Sequence, residues 1–297
     1  MMNIRAVFFS LQLMLISLPS FAMQSVAMPK VATLDWTIAE TLLGLGVTPV
    51  AVGDKQSYQN WVSKPALPQS AVDLGTRLQP NKELLAQLEI EHFPNGDMYF
   101  ATAQANLPYL SPVKAVERVN FYQAGDFWQN QLNATRQLAQ NVGVDPQPLI
   151  SETEAIFAAH KAQLAPFQPR PLLIVQFIDA RHLRVYGEQS LPGAVLSHLG
   201  LQNAWQQAVN LWGFSQISLN QLAQFPNAKL VVIKPYPQNV PTELANNSLW
   251  KQLPLAKDPL ILPAIWTFGA LPSAQRLAVA LSQGLQNAHN QQGEAQW

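Results

Sequence analysis

The chain has 297 residues, 18 Lys and Arg against 18 Asp and Glu, and only 12% of its residues charged. No basic stripe runs along it, which excludes the electrostatic footprint of a nucleic-acid binder. It has no cysteine, which excludes disulfides, thiolate chemistry, zinc–thiolate sites and the lipid-bearing cysteine of a lipoprotein.

Residues 1–22 read as a secretory signal: Arg5, an apolar run from Ala6 to Leu18, then Pro19 and the small-x-small triplet Ser20-Phe21-Ala22. The run is shorter than the roughly 20 residues a bilayer-spanning helix needs, and no other apolar stretch approaches that length. A soluble protein of the periplasm is expected. Strand and helix signals then alternate, the mark of an α/β architecture. "KVATLDW" (30–36) predicts a strand, and "TIAETLLGLG" a helix with Ile38, Leu42 and Leu45 on one face. "VTPVAVGD" and "AVDLGTR" are short strands. "NKELLAQLEI" predicts a helix capped by Asn81, and "DFWQNQLNATRQLAQNVG" a longer one with Trp128, Leu132, Thr135, Leu138 and Val142 on a shared face.

After Pro146 and Pro148, the run Leu149–Ala165 is rich in helix formers and stops before Pro166. "QPRPLLIVQFI" opens a second series with the strongest buried-strand signal in the chain. "HLRVYG", "AKLVVIKPY" and "PLILPAIWTFG" add strands. "SLPGAVLSHLG", "SLNQLAQF", "TELANNSLWKQL" and "SAQRLAVALSQGLQNA" add helices. The expected fold is therefore α/β, with an N-terminal lobe over 29–147 and a C-terminal lobe over 169–290. A single long rigid helix over 148–166 joins them, and the ligand cleft lies between them.

Within "VNLWGFSQIS" (209–218), Trp212 falls outside any clean period. Its ring is costly to leave wet, and Gly213 beside it implies a close approach by backbone or ligand. Trp36 and Trp205 read as core, Trp128 and Trp250 as helix packing. The histidines at 92, 160, 182, 198 and 289 lack ligand-type spacing, so no bare-metal site is expected. No G-x-S-x-G or H-E-x-x-H occurs, and no S-x-x-K near the cleft segments, which leaves a periplasmic hydrolase without an identifiable nucleophile. The chain reads as a binding protein, not an enzyme.

The segments "VATLDWTIAETLLGLGVTPVAVGD", "NWVSKPALP", "LGTRLQPNKELL", "RPLLIVQFIDARHLRVYG", "NAWQQAVNLWGFSQISLNQLA" and "PAIWTFGALPSA" closely resemble, in the same order, the periplasmic ferric-hydroxamate-binding proteins. These are class III (helical-backbone) substrate-binding proteins of ABC importers. The resemblance implies two lobes, a rigid connecting helix and a shallow aromatic cleft that takes a whole Fe(III)–siderophore complex. It implies that Arg77 in "LGTRLQP" and Tyr99 in "DMYFA" hydrogen-bond the iron-bound hydroxamate oxygens. Trp61, Asn210, Trp212, Trp266 and Phe268 match other pocket positions. It also implies a monomer that delivers its ligand to an inner-membrane ABC permease, with no cofactor of its own.

Iron held by three hydroxamates is already six-coordinate, so the siderophore holds the metal and the protein need supply no ligand. What remains is a rim of partly negative oxygens, which suits the always-charged guanidinium fork of Arg77. The hydrocarbon arms need apolar walls with few rotamers to freeze, which the aromatics supply. An alternative keeps the fold and changes the ligand to haem, with Tyr99 as axial group, or to a corrinoid. One departure stands out: relatives dock on the permease through an acidic residue on each lobe, whereas the matching positions here are Gln104 and Asn220. Either the permease differs, or a nearby carboxylate such as Glu117 takes over.

Overall fold

In the computed structural model the described residues are 28–167 and 170–290; the expected signal at 1–22 lies outside them. The N-terminal half holds β1 (Ala32–Thr33), α1 (Trp36–Gly44), β2 (Ala51–Val52), α2 (Lys55–Trp61), β3 (Val72–Asp73), α3 (Lys82–Gln87), β4 (Pro94–Asn95), α4 (Asp97–Asn106), β5 (Glu117–Arg118) and α5 (Phe127–Val142). Then comes α6 (Gln147–Leu164), which crosses to the second lobe. That lobe holds β6 (Leu172–Phe177), β7 (His182–Tyr186), α7 (Leu191–Leu199), β8 (Phe214–Ser218), β9 (Lys229–Lys234), α8 (Val240–Asn246), α9 (Ser248–Gln252), β10 (Leu260–Ala264) and α10 (Leu271–Asn290). The α/β two-lobe expectation holds.

The first lobe is built on a parallel sheet of order β1-β2-β3 beside a parallel pair β4-β5. The second carries a five-stranded sheet of order β10-β9-β6-β7-β8, parallel across β10-β9-β6 and antiparallel across β6-β7-β8. Strand β6 is buried over its whole length, as its apolar run Leu172–Val175 requires. Alternate residues serve two cores: Leu172 and Ile174 pack against α6, α7 and α10, while Leu173 and Val175 face Trp205, Trp250 and Leu230. Each fully buried aliphatic side chain there contributes about 1.5–3 kcal/mol.

Several elements depart from the sequence reading. The strand expected over 30–36 is only two residues long, because the Asp35 carboxylate accepts the Thr37 N–H at 2.9 Å and starts α1 at Trp36. "SLNQLAQF" is a 3₁₀ turn over Leu219–Gln224 rather than an α-helix. "TELANNSLWKQL" splits into α8 and α9, because Asn247 is extended and its side chain caps the second helix by accepting from the Trp250 N–H. The helices α2 and α4 and the strand β8 had no clear period.

The lobes share more than α6. On α1, Glu40 is fully buried, and its carboxyl accepts the Ala270 N–H at 2.7 Å and lies 2.6 Å from Ser273 Oγ at the start of α10. Nearby, the Thr37 hydroxyl donates to Phe268 O at 2.7 Å, Tyr122 OH donates to Gly269 O at 3.1 Å, and Arg276 donates to Val62 O and Lys64 O at 2.6 and 2.7 Å. The segment from Trp266 to Arg276 thus fastens the second lobe to the first. Among the described residues no helix is long and apolar enough to cross a membrane.

Candidate functional site

Between the lobes lies a cavity of about 300 Å³. Its first-lobe wall carries Asp35, Arg77, Tyr99 and Tyr122; its second-lobe wall carries Arg184, Trp212, Phe214, Trp266 and Phe268. A wider depression of about 1030 Å³ lies outside the cleft, along α7 and the start of α5. Its charged lining is Asp126 and Glu188, whereas the smaller cavity gathers two guanidiniums and an aromatic wall between the lobes and is the candidate site.

Arg77 follows β3. Its guanidinium stacks 3.6 Å above the Trp36 ring and 4.9 Å from the Tyr99 ring. Trp36 is 3% exposed and fixed by its indole N–H, which donates to Gly53 O at 2.8 Å. It is core, as expected, and also the platform on which Arg77 rests. Tyr99 lies in the first turn of α4, with Gly96 as N-cap. Burial pushes its phenol up to about 12, against the pull of Arg77. Arg77 and the Tyr99 hydroxyl make no hydrogen bond or ion pair to other described residues, so two sets of donors stand unspent side by side.

The opposite wall is a run of edge-on aromatics. Trp266 lies 5.3 Å from Trp36 and 5.2 Å from Phe268, and its N–H donates to Thr37 Oγ1 at 3.2 Å. Trp212 lies 5.2 Å from Tyr122 of the first lobe and 6.2 Å from Phe268, so it spans the gap. The close approach at Gly213 is made by backbone: its φ is +78°, and a Cβ there would strike Gln189 O and Ser190.

Two expected pocket residues stand elsewhere. Asn210 is exposed and spends its Oδ1 accepting the Trp212 and Phe214 N–H groups at 3.0 and 3.2 Å. It shapes the turn that presents Trp212. Trp61, at the end of α2, sits behind Trp266 at 6.5 Å, within the cluster of Trp36 and Tyr58. It backs the wall instead of forming it. Conversely, Tyr122, Arg184 and Phe214 line the cavity although nothing local singled them out; the one available signal for Arg184 was a lone cation in the apolar strand "HLRVYG". Glu117 is not a free docking group: it meets His92 Nδ1 at 2.7 Å, and its Oε2 is buried. Gln104 and Asn220 are both exposed.

No family model matches the chain. It is 28% identical over 263 residues to the iron(3+)-hydroxamate-binding protein FhuD of Escherichia coli, covering 86% of each chain. Its fold matches that of the Fe3+–Desferal-bound siderophore-binding protein FhuD of Vibrio cholerae with a TM-score of 0.79 at 24% identity, over 87% of this chain and 98% of that one. A FhuD fold-family periplasmic binding protein of a Fep/Fec-like ferrichrome ABC transporter from Bacillus subtilis matches with a TM-score of 0.65 at 14% identity, over 87% of this chain and 97% of that one. Sequence and fold agree with the resemblance read from the ordered segments: the chain is similar along most of its length to a hydroxamate-binding protein and shares the fold of the siderophore-binding proteins, relatives that are substrate-binding proteins of ABC transporters and not enzymes.

Proposed function

We propose that the chain is a periplasmic receptor that takes up Fe(III)–hydroxamate siderophores and hands them, as a monomer, to an inner-membrane ABC importer. The observation that carries this reading is the pairing of Arg77 and Tyr99, unspent donors on one wall, facing the aromatic edge of Trp212, Trp266 and Phe268 on the other. A ferric tris-hydroxamate presents the complementary surface, an oxygen rim on an apolar body with the iron already saturated. Charge-assisted bonds from a guanidinium to such oxygens are the stronger kind. A cavity of about 300 Å³ seats the oxygen face of the chelate and leaves its periphery outside, which suits recognition of the shared iron–oxygen centre.

The similarity to a hydroxamate-binding protein supports hydroxamates, and charge separates them from catecholates. Three hydroxamates neutralise Fe(III), whereas three catecholates leave a trianion. The cavity holds two guanidiniums and the Asp35 carboxyl, while Asp97 at its edge meets Arg118 Nε at 3.4 Å. Haem is disfavoured because an axial phenolate would have to form at Tyr99, whose proton is held more tightly than usual. Among the described residues no three His, Asp or Glu converge on a point, so a chelated metal suits the site better than a bare one. Fluorescence titration of the purified chain against ferrichrome, ferrioxamine B, ferric enterobactin and haem tests the reading. Saturable quenching by the two hydroxamates and not by the others is expected; tighter binding of the catecholate or of haem overturns it.

A further inference from the structure

Arg184 is the unexplained cation of the cleft. It sits on β7 directly opposite Gln176 of β6 in the antiparallel register, so the two side chains share a face of the sheet. Gln176 is 2% exposed; its amide Nε2 donates to Pro235 O at 3.3 Å, which turns Oε1 to accept from Arg184 Nη1 at 3.4 Å and from Tyr186 OH at 3.2 Å. The guanidinium carbon lies 5.4 and 5.5 Å from the Phe214 and Phe268 rings. A buried amide and two ring faces therefore hold this half-buried arginine at the cavity wall. No carboxylate forms an ion pair with it among the described residues.

A cation held in an aromatic wall without a counter-ion carries a desolvation cost that a ligand anion can offset. Arg77 on the facing lobe already meets the oxygen rim in the reading above. Of the two acids that line the cavity, Asp97 is paired with Arg118 and Asp35 stands alone against the two guanidiniums, so the walls carry surplus positive charge when a neutral chelate is bound. Resting on that reading, we propose that Arg184 anchors a second, anionic group of the ligand, a carboxylate separate from the iron-bound oxygens. The receptor thereby selects ferric hydroxamates bearing a free carboxylate over neutral ones. The planar fork of a guanidinium matches a carboxylate through two parallel N–H···O bonds.

A matched pair of probes isolates the added charge: ferrioxamine B acetylated on its pendant amine, which is neutral, and the same chelate succinylated there, which adds one carboxylate. Tryptophan quenching gives both affinities for the wild type, Arg184→Gln and Arg184→Lys. The wild type is expected to bind the succinylated chelate at least tenfold tighter. Arg184→Gln should erase that preference, so that it binds the two chelates equally, while circular dichroism and urea unfolding report an intact fold, and Arg184→Lys should restore part of it. Equal affinities in the wild type, or an equal loss of both chelates in Arg184→Gln, overturns the inference and leaves the receptor reading standing. Failure of the wild type to bind either chelate overturns both.

Discussion

Replacing Glu40 with glutamine tests the clasp between the lobes. Burial pushes the Glu40 carboxyl from 4.5 up to about 8, against the pull of its hydrogen bonds from Ser273 and Ala270 and the charge of Arg276. Between those two values the unfolded carboxyl has lost its proton while the folded one keeps it. The folded state then binds more protons, so stability falls as pH rises. Each pH unit costs about 1.4 kcal/mol, or about 5 kcal/mol across the window, against a total that for most proteins is about 5–15 kcal/mol. Glutamine imitates the neutral acid: its oxygen accepts from the Ala270 N–H and its amide donates to Ser273 Oγ. Glu40→Gln should match the wild type near pH 5 and exceed it by several kcal/mol near pH 8.5. Urea unfolding at half-unit steps between pH 5 and 8.5 measures the difference, and groups common to both proteins cancel in it. Parallel stability curves would refute the assignment of a buried, proton-holding carboxyl to this interface.

Arg77→Ala should weaken binding of a ferric hydroxamate by about 1.5–3 kcal/mol, about 10- to 150-fold in Kd. Its stability should change little, because only ring stacking worth about 0.5–2 kcal/mol is lost; unchanged affinity by fluorescence titration would remove Arg77 from the site. Asn210→Ala deletes the acceptor for two backbone N–H groups. It should lower unfolding stability by about 1–2 kcal/mol and weaken binding less than Arg77→Ala, because it acts through the placement of Trp212. Gly269→Ala would drive a methyl group into the Glu40 carboxyl and Ser273. A destabilisation of about 1–3 kcal/mol is expected, seen as a Tm lowered by several degrees, and an unchanged Tm would show that the clasp gives way easily.

Much of the fold was legible because it rests on short-range rules. The α5 helix declared itself by its apolar stripe, by Asp126, which accepts the Gln129 N–H at 2.8 Å, and by Gly143, which ends it at φ +72°. Strand β6 did so by its apolar run. Arg77, read from the motif around it, and Tyr99, read from "DMYFA", both line the cavity. Trp61 and Asn210, read as pocket positions from the matching segments, stand beside the wall and not in it, Trp61 next to Trp266 and Asn210 in the turn that holds Trp212. A residue one turn behind the wall has the same local signature as one in front of it. Arg184 was missed for the converse reason: a charged residue alternating with apolar ones reads as the wet face of a strand, and only the pairing of β7 between β6 and β8 turns that face into the cleft.

Local periodicity, capping and composition, each reaching only a few residues along the chain, determined the α/β elements, their order and most of the cores they bury. What the cleft contains was settled between residues far apart. The Thr37 hydroxyl reaches Phe268 O across a separation of 231 residues, and Glu40 reaches Ser273 across 233. Whether a given aromatic faces ligand or core, and whether a buried acid keeps its proton, depends on which surface a distant segment brings against it. That information resides in the packed structure, because burial and desolvation are properties of the assembled neighbours and not of the residue itself.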